Sequence, residues 1–308
     1  MEDAMSMTCE MVPTRLGRLK VEVEGDGPPA VLWHSLFVDS TSWARLRPLL
    51  RDGRRLIVID GPGHGGSSVP PADFEFEDCV GAATDVLDAL EVRDPVDWVG
   101  NAWGGHVGIM LGARSPERLR SLVTIATPTQ PLSRRERIKI VPMVWAYRFA
   151  GPVPLLVNNV SRVLLGPDFV KERPDDTTMI ARSIRDAPRT GLYRAMVSVM
   201  LNRTDIAERL PRVDVPTLMV APRNDPMLSV EQARSAASRM PRAATVELTG
   251  QGHVAPILAN ADELATLITA FWADPTSVVS TFIASATPTT VARPALNGTS
   301  VELAVGTD

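Results

Sequence analysis

Short β-rich runs alternate with helical patterns along most of this chain. The runs are GRLKVEVEG (17–25), AVLWHS (30–35), RRLIVIDGPG (54–63), VDWVGNA (96–102), LRSLVTIATP (119–128), VPTLMVAPRND (215–225) and ATVELTGQGH (244–253). Between them lie stretches such as EFEDCVGAATDVLDAL (75–90), where Val80, Ala83, Val86, Leu87 and Leu90 recur at helical spacing. This alternation predicts an α/β fold built on a mostly parallel, doubly wound sheet. It breaks once. Residues 127–212 contain apolar helical segments and no convincing strand, which predicts a helical cap inserted over one edge of the sheet. The expected organisation is a tail over 1–13, a core over 14–126, the cap over 127–212, the rest of the core over 213–274, and a disordered tail over 275–308. That last segment is rich in Ser, Thr, Ala and Pro with little helical period.

With 308 residues, 44% of them hydrophobic, the chain is long enough for one large core. Its net charge of −4, with signs interspersed, offers no basic stripe for phosphates and argues against a nucleic-acid partner. Cys9 and Cys79 fit neither a disulfide framework nor a zinc spacing, so no metal is expected. The N-terminus begins acidic and lacks a continuous apolar segment, which predicts a cytoplasmic protein. The most membrane-like stretch, IVPMVWAYRFAGPVPLLV (140–157), is interrupted by Arg148, Pro142, Pro152 and Pro154; it reads as broken helices with an apolar face rather than a membrane span.

Chemistry gathers around WVGNAWGGHV (98–107). A sharp strand-to-helix turn of the form Gly-x-nucleophile-x-Gly places Gly100 and Gly104 at the tight positions and the reactive side chain at 102. That residue is Ala102, whose methyl group cannot attack anything.

Five stretches in order resemble the α/β-hydrolase superfamily over roughly residues 14 to 274. HSLFVDSTSW (34–43) resembles its oxyanion loop and DGPGHGGSS (60–68) its Asp-x-x-Gly-x-Gly-x-Ser turn. GNAWGG (100–105) stands at the nucleophile elbow, APRNDP (221–226) at the acid-bearing turn and GQGHVAP (250–256) at the histidine loop. The resemblance implies an α/β-hydrolase fold, hydrolase chemistry without a cofactor, and a monomer or homodimer. Ser35, where His-Gly is usual, resembles the enol-lactone hydrolase branch. Trp103 followed by Gly-Gly resembles epoxide hydrolases and haloalkane dehalogenases, in which an aspartate is the nucleophile and, in the epoxide hydrolases, paired cap tyrosines polarise the epoxide oxygen. Tyr147 and Tyr193 are the chain's two tyrosines and both fall in the expected cap. Phe37 stands where that branch usually has proline.

A hydrolytic triad needs a base near neutrality and a carboxylate to orient it. Four histidines exist, His34, His64, His106 and His253. His253 lies in a Gly-flanked loop after the last predicted strand and is the expected base. His64 reads as a turn residue and His106 as part of the first helical turn after the elbow. Asp225, in a loop at a strand's carboxyl end, is the expected acid by the family's chain order, with Asp205 or Asp214 as fallbacks. Backbone amides of Leu36 or Phe37 and of Trp103 would form an oxyanion hole, which does not depend on the residue at 102.

Three readings of Ala102 stand open. It replaces a Ser or Asp by engineering; it is natural, with His253 and Asp225 acting as a base dyad without a covalent intermediate; or the protein binds a ligand and catalyses nothing. Met143, Val144, Trp145, Phe149, Met196 and Met200 predict an apolar inner face on the cap, suited to a small or medium apolar ester, lactone or epoxide.

Overall fold

The computed structural model describes residues 7–286. Among them, eight strands form one sheet: β1 (Thr8–Thr14), β2 (Gly17–Glu24), β3 (Pro29–Trp33), β4 (Arg55–Ile59), β5 (Val96–Asn101), β6 (Leu119–Ile125), β7 (Thr217–Asn224) and β8 (Ala243–Gln251). Their spatial order is β1-β2-β4-β3-β5-β6-β7-β8. β2 pairs antiparallel with β1 and β4, and every pair from β4 through β8 is parallel. The central strands are near-continuous apolar runs because helices cover both faces of a parallel sheet, and all six residues of β5 are buried. Chain order reverses between β3, which leads to β4 on one side, and β5 on the other. The crevice at the carboxyl ends of β3 and β5 is therefore the topological switch point, where ligands gather in open α/β sheets.

Both ends of the chain depart from expectation. Residues 8–13, read as tail, belong to β1, an edge strand whose mostly exposed side chains and Pro13 hide the usual alternation. Within 275–308, read as disordered, Pro275–Ala286 is a helix with Val279 buried against the core; residues 287–308 lie outside the described residues.

Between β6 and β7 the chain is helical, with helices Arg134–Ala150, Pro154–Leu165, Pro167–Glu172, Pro174–Asp186 and Arg189–Ala195 followed by a π-helical turn, Met196–Leu201. This insertion lies over the carboxyl ends of the strands rather than along one edge of the sheet. Ser198 Oγ accepts from the Phe74 amide beyond β4, Arg45 beyond β3 reaches Asp176, and the carbonyl of Leu164 receives the amides of His253 and Val254 beyond β8. Of the six residues expected on an apolar inner face, Val144, Met196 and Met200 are buried and Met143 is half-buried, whereas Trp145 and Phe149 face solvent. Those two are 52% and 73% exposed.

Asp97 pins the centre of the sheet. Its fully buried carboxylate receives Arg54 at 2.6 Å, Arg120 at 2.5 Å and the Ser121 hydroxyl. Arg54 also lies 4.6 Å over the Trp272 ring, and Arg120 donates to the Trp272 carbonyl at 2.7 Å. One carboxylate thus joins β5, β6, the approach to β4 and the helix Ala261–Ala273. Removing one partner from a buried charge cluster strands the others, so Asp97→Ala is expected to cost about 3 kcal/mol or more in urea unfolding. Asp97→Asn, which keeps the shape and loses the charge, falls between it and the parent.

Candidate active site

The turn after β5 is set by close backbone packing. A Cβ on Gly104 would stand 1.9 Å from the Trp33 carbonyl oxygen, and one on Gly100 would stand 2.1 Å from the carbonyl carbon of Gly104. Only glycine lets the helix Trp103–Arg114 descend this far onto β3 and β5. Its Gly104 amide then donates to the His34 carbonyl at 3.2 Å, and the Ala102 amide to Ile125 at 2.8 Å. Between them Ala102 is held at φ +48° and ψ −100°, a strained conformation for an L residue that costs roughly 1–3 kcal/mol. The elbow therefore keeps its shape around a methyl group.

His253 and Asp225 meet as expected. The imidazole Nδ1 lies 2.8 Å from Asp225 Oδ2 and 3.1 Å from Oδ1, with the carboxylate side chain fully buried. The Met227 amide donates to Oδ1 at 2.8 Å and fixes the carboxylate further. An acid at Nδ1 settles the tautomer, since the ring donates there and leaves Nε2 as a free base. Among the described residues Nε2 hydrogen-bonds to nothing. Asp205 instead caps a turn at the Ala207 amide and needs no further role.

The other histidines sort themselves by environment. His34 donates from Nδ1 to Ser35 at 2.6 Å and accepts the Gly61 amide on Nε2 at 2.8 Å, and burial lowers its pKa. His64 donates to Pro62 at 3.0 Å, and burial with the neighbouring His34 takes its pKa down to about 3. His106, in the first turn after the elbow, donates to Pro128 at 2.5 Å; burial and the charge of Arg203 take it down to about 3. The DGPGHGGSS turn is likewise structural, with Asp60 accepting the Ser40 and Gly66 amides and its carbonyl receiving the Ser67 hydroxyl.

The oxyanion residues divide. Phe37 sits at φ +75° and its amide points to His64 Nε2 at 3.4 Å, so that donor is already engaged and Leu36 is the candidate that is left. The Trp103 amide lies in the first turn of its helix, where N–H groups have no intrahelical acceptor and the helix dipole favours negative charge. Its indole is a packing group, buried against Trp33, His34, His64 and Phe74. Tyr147 is fully buried with its hydroxyl unpartnered, and burial lifts its pKa to about 12. Tyr193 is half-buried with Arg148 5.3 Å over its ring. A cleft of about 860 Å³ lies nearby, between the Asp39–Ala44 turn and the helix Pro174–Asp186, but Ala102, Asp225 and His253 do not line it.

Two contributors were not singled out from the sequence. Asn101 Nδ2 bridges the Ile125 carbonyl at 3.1 Å and the His253 carbonyl at 3.1 Å, and the Leu164 carbonyl clamps the same histidine loop from the insertion. Only the position of Asn101 beside the elbow hints at its role. Among the described residues, no group of three His, Cys, Asp or Glu side chains is placed to hold a metal.

Two expectations follow. Gly104→Ala forces the helix off Trp33 and should lower stability by about 3 kcal/mol or more, read as a falling melting temperature. His64 and His106 titrate near 6.5 when unfolded and about 3 when folded, so below pH 6.5 the unfolded chain binds more protons and acid destabilises the fold. Each should contribute a slope of up to about 1.4 kcal/mol per pH unit between about pH 6 and pH 5 in urea midpoints, and His106→Gln should remove one share.

Known proteins share this fold. An enol-lactonase of Burkholderia xenovorans LB400 superposes with TM-score 0.78 at 23% identity, over 87% of this chain and 100% of its own. A thermophilic esterase from Thermogutta terrifontis gives 0.78 at 23%, over 88% and 99%. In sequence, the 3-oxoadipate enol-lactonase 2 of Acinetobacter baylyi is 22% identical over 76% of this chain and 85% of its own. The profile of the alpha/beta hydrolase family matches residues 30–267, and with the eight-stranded sheet and its inserted helices, the chain belongs to that family.

Proposed function

We propose that this chain hydrolyses small or medium apolar esters or lactones, with His253 activating water directly and Ala102 occupying the seat of the family's nucleophile. The observation that carries this reading is the His253–Asp225 pair, which leaves Nε2 as a base beside an elbow whose side chain cannot react. Water gives a proton to Nε2 while its oxygen adds to the substrate carbonyl carbon. The developing oxyanion is held by the Leu36 and Trp103 amides. As the tetrahedral species collapses, the carbon–oxygen bond to the leaving group breaks and the imidazolium returns its proton to the departing alkoxide, giving an acid and an alcohol, or one hydroxy acid from a lactone. Asp225 stabilises the imidazolium throughout. The helical insertion acts as a cap that supplies buried apolar side chains over this crevice. An epoxide fits less well, because Tyr147 is sealed in the core and Tyr193 lies under Arg148.

Ala102 also favours a second reading, a ligand-binding protein that catalyses nothing. Assays of p-nitrophenyl esters, lactones and epoxides with the parent and with Ala102→Ser, Ala102→Asp and His253→Ala separate the two. Slow turnover by the parent that His253→Ala reduces by about 10²-fold or more supports the base dyad. Ala102→Ser should raise ester turnover by about 10³-fold if the elbow is otherwise complete. Absence of turnover in the parent and in Ala102→Ser, with ligand binding retained, would sink the hydrolytic reading.

A further inference from the structure

The helix Arg134–Ala150 is apolar on both sides, and only one side meets the core. Val144 and Tyr147 are buried beneath it, while Ile138, Trp145 and Phe149 are 74%, 52% and 73% exposed. Together with exposed Pro142 they recur at i, i+4, i+7 and i+11, so they form one stripe on the outer face. The Trp145 and Phe149 rings stack at 5.8 Å, and Leu155 in the next helix is 73% exposed as well. Scattered apolar side chains on a surface are ordinary, but a contiguous stripe with two large aromatics marks a contact face.

The charge around the stripe identifies what it contacts. From 134 to 162 the chain carries Arg134, Arg135, Arg137, Lys139, Arg148 and Arg162 against the single acid Glu136, in a protein whose net charge is −4. All six are exposed and, among the described residues, none is in an ion pair. On the helical projection Arg135 and Lys139 flank one side of the stripe and Arg134, Arg137 and Arg148 the other. A second copy of the chain seated here across a two-fold axis would set this cationic ring against itself. No described helix is long and apolar enough to cross a membrane. Aromatic and aliphatic side chains along one helix face, bordered by arginine and lysine, are instead what lets a helix lie in the plane of an anionic bilayer surface, rings among the acyl-chain boundary and cations at the headgroups.

We propose that the outer face of Arg134–Ala150 docks this protein on anionic lipid surfaces, as a peripheral contact that does not depend on the chemistry at His253. The test is co-sedimentation of the full chain with vesicles of phosphatidylcholine alone and of phosphatidylcholine mixed with phosphatidylserine. Two variants accompany it, Trp145→Ala/Phe149→Ala and Arg134→Gln/Arg135→Gln/Lys139→Gln. All five positions are exposed, and unchanged melting by circular dichroism verifies the fold of each variant. The expected result is retention on the mixed vesicles that weakens as salt rises, with each variant reducing the apparent affinity by about tenfold or more. Retention that is absent, equal on neutral vesicles, or unaltered in either variant overturns the proposal. So does a dimer in sedimentation velocity that Trp145→Ala/Phe149→Ala dissolves, because the face would then belong to a second copy.

Discussion

The contact on which the candidate site depends is that of the helix Trp103–Arg114 with the carbonyl edge of β3. A methyl group at Gly104 would overlap the Trp33 carbonyl, so the approach is available to glycine alone. From that one constraint follow the Gly104 to His34 hydrogen bond, which ties the loop after β3 to the helix, and the forced positive φ at Ala102. The approach also places the positive end of the helix at the switch point of the sheet, where the β3 loop arrives from the other side.

Electrostatic environment, more than position in the chain, divides the histidines. Three are buried with backbone partners that accept from or donate to a neutral ring, and burial disfavours their charged form. His253 alone has a carboxylate at 2.8 Å, the arrangement that stabilises an imidazolium once it forms. Asn101 and the Leu164 carbonyl hold its loop from two sides, so the imidazole is positioned by β5 and by the insertion together.

This explains what could be read from the sequence. The seven strands β2 to β8, the turn after β5 and the loop that carries His253 were legible because glycines, a scarce residue such as histidine and unbroken apolar runs each have few structural meanings. β1 was not, because an exposed edge strand need not alternate. The orientation of Arg134–Ala150 was not legible either: with apolar residues on two faces, periodicity cannot say which face turns inward, and Trp145 and Phe149 were assigned to the wrong one. The direction of the Phe37 amide depends on His64, 27 residues away, a pairing that no local pattern contains.

The same constraint bears on the alanine at the elbow. Strain at 102 resides in the backbone, roughly 1–3 kcal/mol whatever the side chain, and it is imposed by the glycine contacts and the amide bonds on either side. The side chain itself contributes little to holding the turn, since the hydrogen bonds that fix residue 102 run through its amide to Ile125 and its carbonyl to His106. A hydroxyl or carboxylate in place of the methyl group would therefore inherit the same backbone and the same neighbours. Fold and reactivity are separable at this position: the scaffold determines where the atom at 102 stands, and the residue determines only whether that atom can react. The His253–Asp225 pair is held without residue 102, by bonds from Met227, Asn101 and Leu164 and by the Gly252 amide on the Asn224 carbonyl. In the proposed reaction this independence is what would let His253 act on water with no nucleophile at 102.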